Sequence, residues 1–356
     1  MDGVSDPGYD ALLLVSFGGP EGPDDVMPFL ENVTRGRGIP RERLLEVAEH
    51  YHHFGGVSPI NGQCRELKAA IEADFAANGL DLPVYWGNRN WHPLLTDTMR
   101  TMAADGVRRA LAFVTSAYAS YSACRVYQED IERARAEVGE PAPVVDKIRH
   151  FYDHPGFVGP MVRSTRDALL RLPEEERADA RLVFVAHSIP TSMADASGPD
   201  GGAYEAQVTE TARLVAEGVG GQLRGPGSSQ GMHWDVAWCS RSGPPSQPWL
   251  EPDICDHLTV LHEKGVRSVA IVPVGFVSDH MEVIFDLDTE ALAHAGELGM
   301  HAVRVPAAGV APEFVAMVRE LVLERVRPAA TPRRALGRLG PAWDTCPANC
   351  CLSRSR

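Results

Sequence analysis

The sequence predicts an α/β protein of two related lobes, each built on a parallel sheet with helices on both faces. Three observations predict it. The chain has 356 residues, too many for one ordinary core and enough for two domains of similar size. Short apolar runs bounded by Gly, Pro or polar residues alternate with segments of helical periodicity from end to end, the signature of parallel sheets with crossover helices. The two halves also echo each other.

In chain order, the apolar runs ALLLVSF (11–17), PVYWGN (83–88), ALAFVTSAY (110–118), RLVFVAHS (181–188), DVAWCS (235–240) and VAIVPVGF (269–276) read as buried strands. Between them, 41–51, 63–78 and 160–172 carry helical periodicity. LLLVSFGGP (12–20) reads like LVFVAHSIP (182–190), a buried strand followed by small residues and a Pro. The stretches 86–113 and 238–272 both run strand, Trp-containing loop, helix, Gly-Val-Arg, strand. This pattern puts a lobe boundary near 150–175, with lobes over 1–160 and 161–326 and a linker and Cys-rich tail over 327–356. A cleft between such lobes, at the carboxyl ends of the strands, is the expected ligand site. Gly218 to Gly231, rich in Gly, Ser and Gln, reads as a surface loop, and Arg327 to Pro341 as a linker.

Composition narrows the function. A net charge of −14 argues against binding nucleic acid through a basic surface. The first ten residues lack the basic and apolar regions of a signal peptide, and the apolar runs are strand-sized, so a soluble cytoplasmic protein without a transmembrane segment is expected. Seven cysteines in a reducing compartment do not predict a disulfide framework. Three of them, Cys346, Cys350 and Cys351, crowd the last eleven residues.

Four groups carry candidate chemistry. His187 stands at a strand's carboxyl end, where a neutral imidazole can ligate a metal or take a proton; the plain alternative is a hydrogen-bonded strand-end histidine. SDHMEVIFDLDTE (278–290) follows a strand and brings Asp279, His280, Glu282, Asp286 and Glu290 together. Glu282, Asp286 and Glu290 are spaced to share a helical face, offering oxygen ligands for passing a divalent ion; the plain alternative is a charged helix start. Arg35 and Arg37 among glycines, with Ser58 in a second Gly-rich loop, form an anion-binding candidate, while no P-loop or dinucleotide fingerprint is present. The tail thiols call for a soft metal or cluster that wants four ligands, so Cys64, Cys124, Cys239 or Cys255 must supply the fourth; a zinc site or an unligated tail stays open.

The segments SFGGPEGPDDVMPFLENVTRGRG, FGGVSPINGQ, VYWGNRNWHP, FVAHSIPTS and PVGFVSDHMEVIFDLD resemble the signature segments of ferrochelatases, in the family's order and over about residues 10–325. The pairing of AHSIP with SDHME about ninety residues later is the most specific part, and the CPANCC tail resembles actinobacterial members that hold a [2Fe–2S] cluster. The resemblance implies the chelatase fold, two Rossmann-like lobes with parallel four-stranded sheets flanked by helices and related by a pseudo-two-fold. It implies a lyase that inserts Fe²⁺ into a porphyrin in heme biosynthesis, with coproporphyrin III as substrate and coproheme as product. Carried over residue by residue, it makes His187 and Glu282 catalytic and continues the iron path from them through Asp286 and Glu290. Ser58, Tyr127 and Arg35 fall at porphyrin-contacting positions, and Cys124, Cys346, Cys350 and Cys351 become the cluster ligands. Where some bacterial relatives have a tyrosine that can ligate product iron, this chain has Phe17, which cannot coordinate.

The expected partners are the porphyrin, ferrous iron and, transiently, neighbouring heme-pathway enzymes. Competing readings are protoporphyrin IX as substrate, a cobalt or nickel chelatase of similar fold, and a noncatalytic heme- or metal-binding protein.

Overall fold

The computed structural model describes residues 8–36, 38–224, 232–243 and 246–352. The chain divides into two compact units, and not by a single cut in sequence. One comprises the chain up to Thr115, Val126–Ile148 and Val318–Pro332; the other comprises Ser116–Arg125, Arg149–Met317 and the chain from Arg333 onward.

In the first unit, β1 (Ala11–Ser16), β2 (Val84–Asn88), β3 (Arg109–Val114) and β4 (Val144–Lys147) form an all-parallel sheet in the order β2-β1-β3-β4. Helices α1 (Val26–Val33), α2 (Arg41–His53), α3 (Ile60–Ala77), α4 (Leu95–Ala104) and α5 (Val126–Val138) accompany it. Side chains alternate between the faces of a strand, so Ala11, Leu13 and Val15 share a face with Ala110, Ala112 and Val114 and pack with Met99 and Met102 of α4 and Ile131 of α5. Leu12, Leu14, Leu111 and Phe113 point the other way and are equally inaccessible to solvent. A strand buried on both faces has to be apolar throughout, which is why 11–15 reads as an unbroken hydrophobic run.

The second unit repeats the plan. After α6 (Pro155–Leu169) come β5 (Arg181–His187), α7 (Thr191–Asp195), α8 (Ala203–Arg224), β6 (Trp234–Cys239), α9 (Ile254–Glu263) and β7 (Ser268–Val272). A short α10 (Met281–Val283) runs into a π-helical stretch, Ile284–Ala291, and on into α11 (Leu292–Glu297), followed by β8 (His301–Arg304) and α12 (Pro312–Val326). The sheet order is β6-β5-β7-β8, the same second-first-third-fourth arrangement as in the first unit. Val183 and Val185 of β5 pack with Ile254, Leu258 and Leu261 of α9 and with Val283, Leu287 and Ala291.

The Gly-Val-Arg echo has a local cause. Gly106 and Gly265 take φ of +81° and +84° just past the ends of α4 and α9. There Val107 and Val266 donate back to the carbonyls of Met102 and Leu261, at 2.9 and 3.0 Å. Both are left-handed helix caps that turn the chain into the next strand, and a side chain is disfavoured there.

The structure also trims and extends the sequence reading. The third and sixth predicted strands stop at Val114 and Val272, where the chain leaves the sheet toward the strand tips. Gly218 to Arg224 are the last turns of α8 rather than a loop, because Val215, Ala216 and Val219 are buried and carry the helix through. The rest of that predicted loop, 225–231, and Arg37 lie outside the described residues. The predicted linker lacks regular structure but is bound down: Leu336 N–H donates to Asp153 O at 2.9 Å, Tyr152 Oη to Gly340 O at 3.0 Å, and Arg149 to Arg334 O at 2.9 Å.

Candidate active site

β5 ends on His187, whose Nδ1 lies 2.5 Å from the Ser188 carbonyl. A carbonyl only accepts, so the proton sits on Nδ1 and, in the neutral ring, the lone pair sits on Nε2. That nitrogen faces Glu282 Oε2 at 3.7 Å. The side chains are 35% and 47% exposed, so both can be reached by a ligand. Glu282 arrives from the loop after β7, where a close approach is built in. A Cβ on Gly275 would lie 2.5 Å from Ala186 Cβ, so only glycine lets that loop pass against the strand beside His187.

Asp286, in the π-helical stretch, accepts a hydrogen bond from Ser240 Oγ. Ser240 follows β6 with a left-handed φ of +61°, directly after Cys239, the register partner of His187. Burial raises the Asp286 carboxyl to a pKa of about 6; the Ser240 hydrogen bond opposes that rise, and the charges of Glu282 and Glu290 add to it. Glu290 is exposed at the far end of the same stretch. The interleaved acids Asp279 and Asp288 are instead taken up by Arg304, at 2.7 and 2.6 Å. His187, Glu282 and Asp286 therefore belong to one electrostatically coupled group, with an acid that gains and loses a proton near neutrality.

The remaining predicted residues stand in two other places. Ser58, Tyr127 and Arg35 belong to the first unit. Ser58 is buried, its N–H on the Pro20 carbonyl at 2.8 Å. Tyr127 is buried under the Arg89 guanidinium, which lies 4.6 Å from the ring centroid and pairs with buried Asp130. Arg35 is exposed after α1, and among the described residues no carboxylate pairs with it. Phe17 packs edge-on against Phe29 at 6.2 Å.

In the second unit, Cys350 and Cys351 are buried with Ala119, and Ala203, Trp343 and Cys346 pack against them. Burial lifts the Cys350 thiol to a pKa of about 12, with Cys351 and Cys124 close enough to raise it further and a hydrogen bond with Cys346 opposing the rise. Two N–H groups aim at sulfur: Trp343 Nε1 at Cys346 Sγ, 3.0 Å, and Gly198 N at Cys351 Sγ, 3.1 Å. None of the seven cysteines is in a disulfide. Among the described residues no group of three or more His, Cys, Asp or Glu side chains is already arranged to hold a metal ion. Sequence reasoning missed Ser240, Arg304, Trp343 and Gly198, since nothing in their local sequence says which side chain each will meet.

Comparison with known proteins places this geometry. The family model described as Ferrochelatase matches residues 9–326. The chain is 55% identical to the coproporphyrin III ferrochelatase of Streptomyces griseus, covering 100% of this chain and 96% of that one. It is 55% identical to the coproporphyrin III ferrochelatase of Streptomyces coelicolor (98% and 94%) and 52% identical to the ferrochelatase of Rhodopirellula baltica (98% and 95%). Among solved structures, SirB from Bacillus subtilis with Fe³⁺ matches with a TM-score of 0.55 at 13% identity, covering 90% of this chain and 97% of that one. At that identity the likeness concerns the two-lobed chelatase fold.

Proposed function

Because the chain belongs to the ferrochelatase family, we propose that it inserts Fe²⁺ into coproporphyrin III, releasing two pyrrole protons and giving coproheme. The observation that carries the reading is the His187–Glu282 pair, an imidazole Nε2 and a carboxylate 3.7 Å apart at a strand tip. The full-length likeness to two relatives named for that substrate supports the choice of porphyrin.

Metallation needs a base for each pyrrole proton and ligands that hold the metal weakly enough to release it. His187 presents a lone pair because the Ser188 carbonyl occupies its other nitrogen. Glu282 is the second acceptor, and Asp286 and Glu290 extend it as stations for the incoming iron. With a pKa of about 6, Asp286 exchanges its proton for a metal ion at low cost near neutral pH. Exposed Arg35 is the propionate partner, and binding energy from such remote contacts offsets the distortion of the macrocycle that exposes its nitrogens. Ser58 and Tyr127 belong to the same porphyrin-holding surface in this reading, Tyr127 with its ring backed by Arg89.

Cys124, Cys346, Cys350 and Cys351 would hold a [2Fe–2S] cluster. Their grouping, and the N–H donors on Cys346 and Cys351, suit thiolate ligands, because N–H groups stabilise sulfur that carries negative charge. Bound there, such a cluster supplies one-electron redox chemistry and a cross-link between the tail and the body of its unit. Thiols kept available for a cluster fit a reducing cytoplasm.

The test is anaerobic metallation with Fe²⁺, offering coproporphyrin III and protoporphyrin IX separately and following the absorption spectrum. Rapid conversion of coproporphyrin III with protoporphyrin IX slow is the expected outcome. The reverse preference overturns the substrate, and no metallation of either by folded protein overturns the reading.

A further inference from the structure

The reaction leaves one buried phenol unused. Tyr204, at the start of α8, is 4% exposed, and its hydroxyl donates to the backbone carbonyl of His187 at 2.8 Å. That carbonyl needs a partner from outside the sheet. β5 pairs with β7 only through Phe184, and the chain beyond Val272 turns away, so the strand tip outruns its neighbour. On the other side of the same peptide, the Ser188 N–H is held by the Cys239 carbonyl at 2.8 Å. Tyr204 therefore completes a clamp on the peptide that carries the imidazole.

The turn that presents Tyr204 is also the turn that carries the thiols. The Tyr204 N–H donates to Ser197 Oγ at 2.8 Å, and Ser197 Oγ donates to Ala194 O at 2.5 Å. The next residue, Gly198, gives its N–H to Cys351 Sγ and has a left-handed φ of +78°. A Cβ there would lie 2.4 Å from Ala203 Cβ, so the turn is closed on itself with no slack. Ala203 packs against the Cys350–Cys351 group, and Gln207, one helical turn on, accepts from the Ala119 N–H at 2.8 Å. The Tyr204 ring is wedged by Trp238, at 5.7 Å, and Tyr118, at 6.2 Å. Five residues of tightly packed backbone thus join Cys351 to the hydroxyl that fixes His187.

We propose that Tyr204 is a positioning residue for His187, and that the cluster-loaded tail holds Tyr204 in place, so that loss of the cluster is felt at the strand tip. The second half rests on the reading of the four cysteines as cluster ligands. Tyr204→Phe keeps the ring and removes the hydroxyl. Its kcat falls about tenfold with KM for coproporphyrin III, cluster content and Tm unchanged, because a single hydrogen bond to the backbone of the reacting residue is lost. Cys351→Ser, assembled anaerobically, lowers kcat similarly, and the double variant loses little more than either single one. Wild-type kcat in Tyr204→Phe overturns the positioning role, as does a loss confined to KM. Losses that multiply in the double variant overturn the coupling. If Cys351→Ser does not fold, Trp343→Phe, which removes the N–H on Cys346, takes its place in the cycle. Iron and acid-labile sulfide are measured in every sample, so a wild-type protein without either rejects the cluster reading independently of the kcat of Tyr204→Phe.

Discussion

Replacing Asp286 with Asn separates stability from activity. Burial and the neighbouring Glu282 and Glu290 lift the Asp286 carboxyl from 3.8 to about 6, so holding it ionised in the fold costs free energy. At about 1.4 kcal/mol per pKa unit the rise is worth about 3 kcal/mol, and partial solvent access reduces it to about 2 kcal/mol. The sign follows from proton linkage. A group whose folded pKa is raised stabilises the fold when protonated, and that contribution is lost as pH climbs from the unfolded value through about 6. Asparagine stays neutral and still accepts from Ser240. Asp286→Asn is therefore more stable than wild type, by a margin that is small near pH 4.5 and reaches its plateau above about pH 6.5. Thermal unfolding should record a Tm gain of about 4 °C or more at pH 7.5. In the same samples iron insertion falls at least tenfold, since an amide cannot exchange a proton for a metal. Equal stability at pH 7.5, or a larger gain at pH 4.5, refutes the reasoning.

Other substitutions probe the remaining parts. His187→Ala should cut the rate of metallation by about a thousandfold or more with near-UV circular dichroism unchanged; full activity in a folded variant removes His187 from the mechanism. Arg35→Ala should weaken coproporphyrin III binding about tenfold in a fluorescence titration, and more at low salt than at high. Gly275→Ala forces a Cβ to within 2.5 Å of Ala186 and should cost about 1–3 kcal/mol in denaturant unfolding, with reduced kcat from a displaced β5 tip. Cys350→Ser should abolish the iron and labile sulfide found in wild-type protein purified anaerobically.

The sheets were legible where burial leaves a strand no choice. β1, β3, β5 and β7 are apolar on both faces, and no helix of that length reads the same way once Gly and Pro bound it. The edge strands β4 and β8, VVDK and HAVR, escaped because four half-exposed residues carry too short an alternation to register. The catalytic pair was legible because both members sit directly after readable strands. What sequence could not supply was the support around them: Ser240 meets Asp286 across 46 positions, and Tyr204 reaches His187 from a different helix. Those partners depend on three-dimensional neighbours, and a side chain's type says little about whom it will meet. The tail illustrates the same limit. Cys346, Cys350 and Cys351 announce themselves, whereas the N–H groups that face their sulfurs come from an indole and from a glycine 153 positions away.

The π-helical winding of Ile284–Ala291 has a consequence for how this segment tolerates length change. A π turn is an α-helix with a residue to spare, and the slack is what seats Asp286 against Ser240 while Glu282 stays beside His187. Deleting a single residue there would let the chain relax into ordinary α winding and tighten its backbone hydrogen bonds. The same deletion would turn everything downstream by about 100°, sending Glu290 and Asp288 to different neighbours and pulling Arg304 off its partners. The segment is thus a frame-sensitive stretch, in which side-chain swaps are absorbed locally and a one-residue deletion scrambles the alignment of every acid beyond it.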